Sequence, residues 1–526
     1  MTRFRVSAIL VIAAWTIGWL AAVSPTPAAE LVVDPKGAAS ADGNPGTAAK
    51  PLKTLAKALE LAKGGDTILL GTGEYPAVAI SKTYQEPLTI RAAKGAKPVM
   101  TGGVTITDGG GVRLSGLVFT WPADGRPTRS MTTFIRIAGS KDVEIADCEI
   151  FDDPKLTEWA GWACSVNGSE RVTVRDTKAH HFYFGFSAYQ SRDVTFRNLT
   201  IGPWTHEDGI RATECEGPIL IEGCTISNTG VAGRKGGHVD GIQVVHWTDN
   251  LTIRNCHIHG MGQGIGAFNS RERRRKNWHI EGNLVYDVYA PHVCTVCDCD
   301  GVTITNNTFP QNRPLLVRCT GGVVKNNIIG SGSSIKGEDV LADYNLYIDA
   351  RAKAGGHDLV GVDPKFVNVP LLRLKSDRRR LKEMTRSKFF FREGLKDKIA
   401  VGDIIEVMNS DGSARDAKPR KVTAVGDNWL EVDTPIANDP DWAGVVVFKW
   451  PAGQKNLVPD YHLRADSPAV DSADGSVKRG PDREGHEPAD TPGVANSGAG
   501  DVKYLDRGAL EFIPATGAPR DSHKER

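Results

Sequence analysis

Between residues 112 and 329 one short pattern recurs: VRLSGLVF, VEIADCEI, VTVRDTKA, VTFRNLTI, ILIEGCTI, LTIRNCHI, WHIEGNLV, VTITNNTF and VVKNNII. Each copy alternates apolar and polar residues, passes a small or amide residue, and enters a second short apolar run. From Leu114 to Val324 the central apolar residues of successive copies lie 20 to 32 residues apart. LTIRAA around Ile90 and DTILLG around Ile68 extend the series upstream. A strand-bearing repeat of this length with loops of varying size predicts a parallel β-helix, a solenoid of single-chain coils. One coil cannot bury its apolar face alone, so stacking builds the core. No fixed leucine framework suggests leucine-rich repeats, and the long series of same-register strands disfavours a hairpin-built sandwich. Gly is abundant (57) and aromatics are few (7%), which suits such an all-β, turn-rich chain.

The register sorts side chains into columns. The turn after the first strand of each copy carries Leu117, Cys148, Thr177, Leu199, Cys224, Cys256, Asn283, Asn307 and Asn327. Stacked asparagines there can hydrogen-bond from coil to coil. Cys148, Cys224 and Cys256 fall in the same column and read as small buried hydrophobes, so the nine cysteines are expected to be mostly unpaired. The CxxC within Cys294–Cys299 has no partner pair at metal-binding spacing.

The ends of the chain carry a resemblance. VDPKGAASADGNPGTAAKPLKTLAKALELAKGGDTILLGTGEY (33–75) is similar to the N-terminal segment of secreted right-handed parallel β-helix proteins of the pectate-lyase-like superfamily. That implies a helix within 51–63 capping the open end of the stack. VDPKFVN (362–368), LRADSPAVDSA (463–473) and DRGALEF (506–512) resemble the far end of the same group. Here residues 371–457 separate these C-terminal motifs. VGDIIEV, NWLEVDTPI and WAGVVVFKW within them predict a small inserted all-β module, with Trp429, Trp442 and Trp450 either in its core or facing a glycan. The expected organisation is therefore a signal peptide (1–29), a right-handed parallel β-helix (30–370), the module (371–457), completion of the helix (458–512) and a polar tail (513–526).

The leader MTRFRVSAILVIAAWTIGWLAAVSPTPAAE has two arginines, an apolar run from Ala8 to Val23, then small residues, predicting cleavage near Ala28 or Ala29 and a secreted or periplasmic protein. Charge is balanced, 64 Lys+Arg against 63 Asp+Glu, which excludes nucleic-acid binding by bulk charge. A polysaccharide is the expected partner, with no membrane contact after leader removal, and the chain is expected to be a monomer.

The chemistry lies in HEDGIRA (206–212) and HVDGIQV (238–244), thirty-two residues apart on successive coils, followed by QGIGAFN (263–269) and preceded by FGFSAYQ (184–190). In-register coils stack at about 4.8 Å. Asp208 is thus expected over Asp240 with Gln263 continuing the ladder, and His206 over His238. Strand alternation gives Asp208 the parity of the inward Ile210, which places it in the turn or buried and hydrogen-bonded. Two readings stay open: Asp-Gly turn chemistry reused from coil to coil, or a carboxylate pair with split proton affinities, as in glycosidic hydrolysis.

HEDG, HVDG and GQG (262–264) partly resemble the three-coil motif of polygalacturonase-type glycoside hydrolases. The resemblance implies catalytic roles for Asp208 and Asp240 only. Val239 replaces the second carboxylate of the pair, Gln263 replaces the histidine, and no Arg-Ile-Lys follows. The competing reading is β-elimination from a uronate glycan, with Lys235, His206 or His238 as base and Arg211 against the substrate carboxylate. Further substrate contacts are expected from Gln243, Gln263, Tyr183, Tyr189 and the basic loop bearing Arg271, Arg273 and Arg274. No cofactor is expected; calcium could bridge Glu207, Asp208 and Asp240, while the histidines would instead favour zinc in one packing of these turns. A glycan-binding or structural β-helix without catalysis is the third reading.

Overall fold

The computed structural model describes residues 28–514 apart from 123, 128–131, 229–238, 271–272, 289–291, 312–314, 332, 354, 410–417 and 441–443. The leader to residue 27 and the tail from residue 515 lie outside the described residues. No helix among those described is long and apolar enough to cross a membrane.

The central coils contribute three short strands each, and in the last ones the first two merge into one long strand, as in Cys294–Thr305, Leu315–Lys325 and Ser334–Asp343. One coil runs through Trp162–Asn167, Glu170–Arg175 and Lys178–His180, and the next through Phe184–Tyr189, Arg192–Arg197 and Thr200–Ile201. The first two strands of every coil join one 21-stranded sheet and the third joins a 13-stranded sheet, each pairing in parallel with its counterpart on the next coil. Ile and Val at the inward positions are fully buried along the stack, for example Val174, Phe196, Ile221, Ile253, Ile280 and Ile304. The short helix Leu55–Leu61 sits at the open N-terminal end. Thr54 caps it by accepting from the Lys57 N–H, and Leu55 and Ala58 turn inward onto the core.

The predicted amide column is present. Asn345 Oδ1 accepts from the Asn327 N–H, Asn327 Oδ1 from Asn307 and Asn307 Oδ1 from Asn283, while Asn283 Oδ1 accepts from the Cys256 N–H. All nine cysteines are unpaired and buried.

After Phe366–Asn368 the chain leaves the stack and returns as Asp460–Leu463, which pairs antiparallel with it. Between them, Leu372–Lys375, Val445–Trp450, Ile404–Asn409, Arg420–Val425, Trp429–Val432 and Lys388–Phe390 form a six-stranded antiparallel sheet in that spatial order. Leu374, Phe389, Ile405, Val407, Leu430 and Val447 make its own core. Trp450 is buried with its indole N–H on Glu406 Oε2, so it packs rather than faces a ligand. Trp429 is partly exposed under the Lys388 ammonium, and Trp442 lies outside the described residues.

Candidate active site

A corner of the coil sets the geometry of the repeated Asp-Gly. Gly185, Gly209, Gly241 and Gly264 occupy one column where the chain turns into the first strand of each coil. A Cβ at Gly209 would stand 2.8 Å from Gly241 O and 2.9 Å from Ile226 Cγ2; at Gly241 it would meet Ile258 Cγ2 and Met261 Sδ at 2.6 Å. The inward place at this corner is thus taken by glycine, and the preceding residue swings to the outer face. Asp208 lies in this turn, buried and hydrogen-bonded to Arg211 as expected, although alternation itself lapses here because Gly209 and Ile210 both face the core.

The outward column at this corner reads Trp162, Phe184, Asp208, Asp240, Gln263 and His292. Trp162 pairs with Phe184 and Asp240 with Gln263. Asp208 stands two residues before the Ile210–Ile242 pairing, and His292 two before Cys294, the partner of Ile265. Two carboxylates therefore follow two aromatics and precede an amide and an imidazole.

Trp204, fully buried, pins the turn that delivers Asp208: its indole N–H donates to Glu207 O at 3.0 Å and its backbone N–H to Asn228 Oδ1 at 2.9 Å. Glu207 itself is left-handed, with φ +56°. Asp208 and Asp240 are both 0% exposed. Arg211 Nε donates to Asp208 Oδ2 at 2.6 Å while its Nη2 donates to Glu207 Oε2 at 2.5 Å. The guanidinium lies 4.8 Å over the Phe184 ring, which stacks on Trp162 at 4.3 Å. On the next rung Gln243 Nε2 donates to Asp240 Oδ2 at 3.1 Å, and the Asp240 N–H reaches Asp208 Oδ1 at 3.3 Å.

Burial raises the proton affinity of both carboxyls. Asp208 is pushed up to about 7, because loss of water outweighs the pull of Arg211. Asp240 is pushed well above the carboxylate range by burial and then by the charge of Asp208, against the opposing pull of Gln243 and Arg211. With the guanidinium on Asp208, the negative charge belongs there and the proton on Asp240.

Tyr183 stacks on His206 at 4.6 Å, and His206 Nδ1 is buried without a hydrogen-bond partner. Gln263 is partly exposed and Tyr189 is 42% exposed two residues beyond Ser187, the register partner of Arg211. His238, Lys235 and Arg271 lie outside the described residues. The basic loop is otherwise engaged away from the column. Arg273 stacks 3.7 Å over Trp247 and pairs with Asp249, Arg274 pairs with Asp300, and Arg275 is buried on the carbonyls of Phe268 and Cys297.

Calcium does not fit this carboxylate group, since Arg211 holds the space between Glu207 and Asp208. No group of three or more His, Cys, Asp or Glu among the described residues is spaced to hold a metal. Sequence reading missed Trp162 and Phe184, although GWACS and FGFSA align with DGIRA in the repeat register.

Residues 102–272 and 185–348 match the family described as right handed beta helix region, and 38–142 match a protein family of unknown function, DUF1565. No curated protein matches the sequence. Among solved structures, pectate lyase Pel9A is similar over 93% of this chain and 97% of its own, at 12% identity and a TM-score of 0.48. XylC in complex with xylose covers 68% of this chain and 90% of its own at 12% identity, TM-score 0.43. An alginate lyase from Paenibacillus sp. str. FPU-7 covers 60% and 99% at 16% identity, TM-score 0.36. With its stacked parallel coils, its amide column and this match, the chain folds as a right-handed parallel β-helix.

Proposed function

We propose that this chain is an exported enzyme that cleaves an acidic polysaccharide by acid/base hydrolysis of glycosidic bonds, with Asp208 and Asp240 as the pair. The observation that carries this reading is the stacking of two dry carboxyls on adjacent rungs beside a single guanidinium. Two such groups cannot both ionise, and separated proton affinities are what hydrolysis of a glycosidic bond uses. Asp240, holding the proton, takes the role of general acid, and Asp208, ionised on Arg211, that of general base. Because both are covered, the substrate must open the site. A uronate carboxylate entering the fork of Arg211 takes the place of Glu207 and Asp208 and frees the base. Gln263 and Gln243 then offer amides to sugar hydroxyls, and Tyr183 with His206 offers a stacked wall.

The complete cover over both carboxyls favours a second reading, β-elimination. There Arg211, 25% exposed, neutralises the uronate carboxylate, and His206, His238 or Lys235 removes the C5 proton without either aspartate touching substrate.

The purified mature chain is to be screened on pectate, alginate, xylan and neutral galactan, reading reducing ends and ultraviolet absorbance together, with Asp240→Asn alongside. Reducing ends lost in the variant, without new absorbance, are the result expected. New absorbance that survives Asp240→Asn transfers the site to elimination. A folded protein silent on every glycan leaves the binding or structural reading.

A further inference from the structure

Where the inserted sheet meets the last coils, the surface opens into a cleft of about 870 Å³. That is the size of small-ligand sites, which favour boundaries between packed units. One wall comes from the ends of successive coils at Pro310, Gly330 and Ile348, and the other from Leu371, Arg373 and Phe448 of the insertion. The antiparallel strand pair at the base of the insertion supplies Phe366 and Tyr461, set edge to face at 5.2 Å.

The lining selects a class of ligand. It carries four cations, Arg351, Lys365, Arg373 and Arg464, against three carboxylates, Asp287, Asp349 and Asp363, a surplus of one positive charge. Most of these groups already pair. Arg351 makes a two-point contact with Asp349 at 2.9 Å, Lys365 and Arg464 share Asp466, and Asp287 accepts from Gln311. A compact anion such as phosphate finds little net attraction here. A greasy ligand would bury charge. A polyhydroxylated ring suits the lining, because each ion pair sets donors beside acceptors. Leu371 and Val367, 64% and 52% exposed, offer apolar surface to its C–H face.

The cleft is linked to the far end of the column. Asp287, which lines it, ends one coil, and His292, five residues on, stands in the column where the next coil begins, a span of at most about 18 Å of chain.

We propose that this cleft is a saccharide site that grips a stretch of the polysaccharide beyond the carboxylate pair, and that the insertion exists to build its outer wall. The proposal rests on the reading of the chain as acting on a polysaccharide. The test uses the full mature chain carrying Asp240→Asn, with Leu371→Trp to fill the mouth and Arg351→Ala to remove a donor. Both positions are exposed, and thermal unfolding checks that each variant folds. Affinity electrophoresis in pectate, alginate, xylan or galactan gels is read first, then titration with short and long oligosaccharides of whichever polymer retards the protein. The gain in affinity from short to long chains should fall by about tenfold or more in both variants. Unchanged retardation in both overturns the cleft and leaves the carboxylate site standing. Lost retardation in a protein whose cleavage survives Asp240→Asn keeps the cleft and removes the hydrolase reading. No retardation in any gel overturns both.

Discussion

Asp208 and Asp240 are adjacent in one column, yet their partners differ, and that difference can be measured. Asp208 answers to a guanidinium, Asp240 to an amide. Replacing Asp240 by Asn keeps the shape of a protonated carboxyl and its place beside Gln243, so folding should be conserved. Replacing Asp208 by Asn takes away one of the two carboxylates on Arg211 and leaves its ion pair with Glu207. A cost of roughly 1–2 kcal/mol is expected, less than for breaking a buried pair, because Arg211 keeps Glu207 and some contact with water. The pH dependence follows from the raised affinities. The folded protein retains protons that the unfolded chain releases near pH 4, so the stabilisation is complete at acid pH and is lost as pH rises through about 7 and beyond. Asp240→Asn deletes its share. Its melting temperature should therefore rise relative to the parent between pH 5 and pH 8, and an equal offset at both values would refute the protonated Asp240. The column itself was legible from the register of HEDGI and HVDGI. The partners were not: Arg273 and Arg274 read as a free basic loop, but their pairs with Asp249 and Asp300 join residues more than twenty positions apart.

Two columns hold the coils in register, and each has a weak point. At the corner, Gly185 is the tightest of the glycines, since a Cβ there would stand only 1.9 Å from Gly209 O. Gly185→Ala must push the DGI strand away, so loss of soluble folded protein is expected, or destabilisation of several kcal/mol. In the amide column, Asn307 accepts from the Asn283 N–H and donates to Ile280 O and Thr305 O. Asn307→Leu leaves the first of these buried groups without its acceptor, a cost of about 1–3 kcal/mol by chemical denaturation. A neutral result would mean that the column records shape rather than hydrogen bonding. The asparagines could be read in the sequence because a polar residue recurs at an otherwise apolar turn. The glycine corner could not, because alternation predicts orientation only while a strand runs straight. The aromatic half of this column was hidden for the same reason: alternation does not show that Trp162 and Phe184 share it with the aspartates.

Over the whole molecule, the last segment ties distant coils together. Asp474 reaches back to Lys325 at 2.6 Å, its N–H donates to Asn326, and Arg507 donates to Asn345 O. The motifs DSPAVDSA and DRGALEF were legible as an end-piece, whereas what they enclose needed three dimensions. Asp471, Asp482, Asp506 and Glu511 are all nearly or fully buried, with Arg479 the guanidinium paired to Glu511 at 2.7 Å. Their carboxylates mostly accept backbone N–H groups: Asp506 from Asp471 and Phe512, Asp482 from Glu511, and Asp471 from Thr491. Burial raises Asp471 and Asp506, and pushes Glu511 up to about 7 against the pull of Arg479. The sign is that of any carboxyl with raised affinity: the wrap is firmest when these groups hold protons, and its hold weakens as pH rises through neutrality and above. Hydrogen exchange resolved by segment should then show residues 469–511 opening faster relative to the central coils at pH 9 than at pH 6, after correction for intrinsic exchange. Glu511→Gln, which cannot ionise, should reduce that difference, the remainder belonging to Asp471 and Asp506. Equal relative protection at both pH values would mean that the N–H donors alone carry these charges, and that the end-piece is indifferent to their protonation.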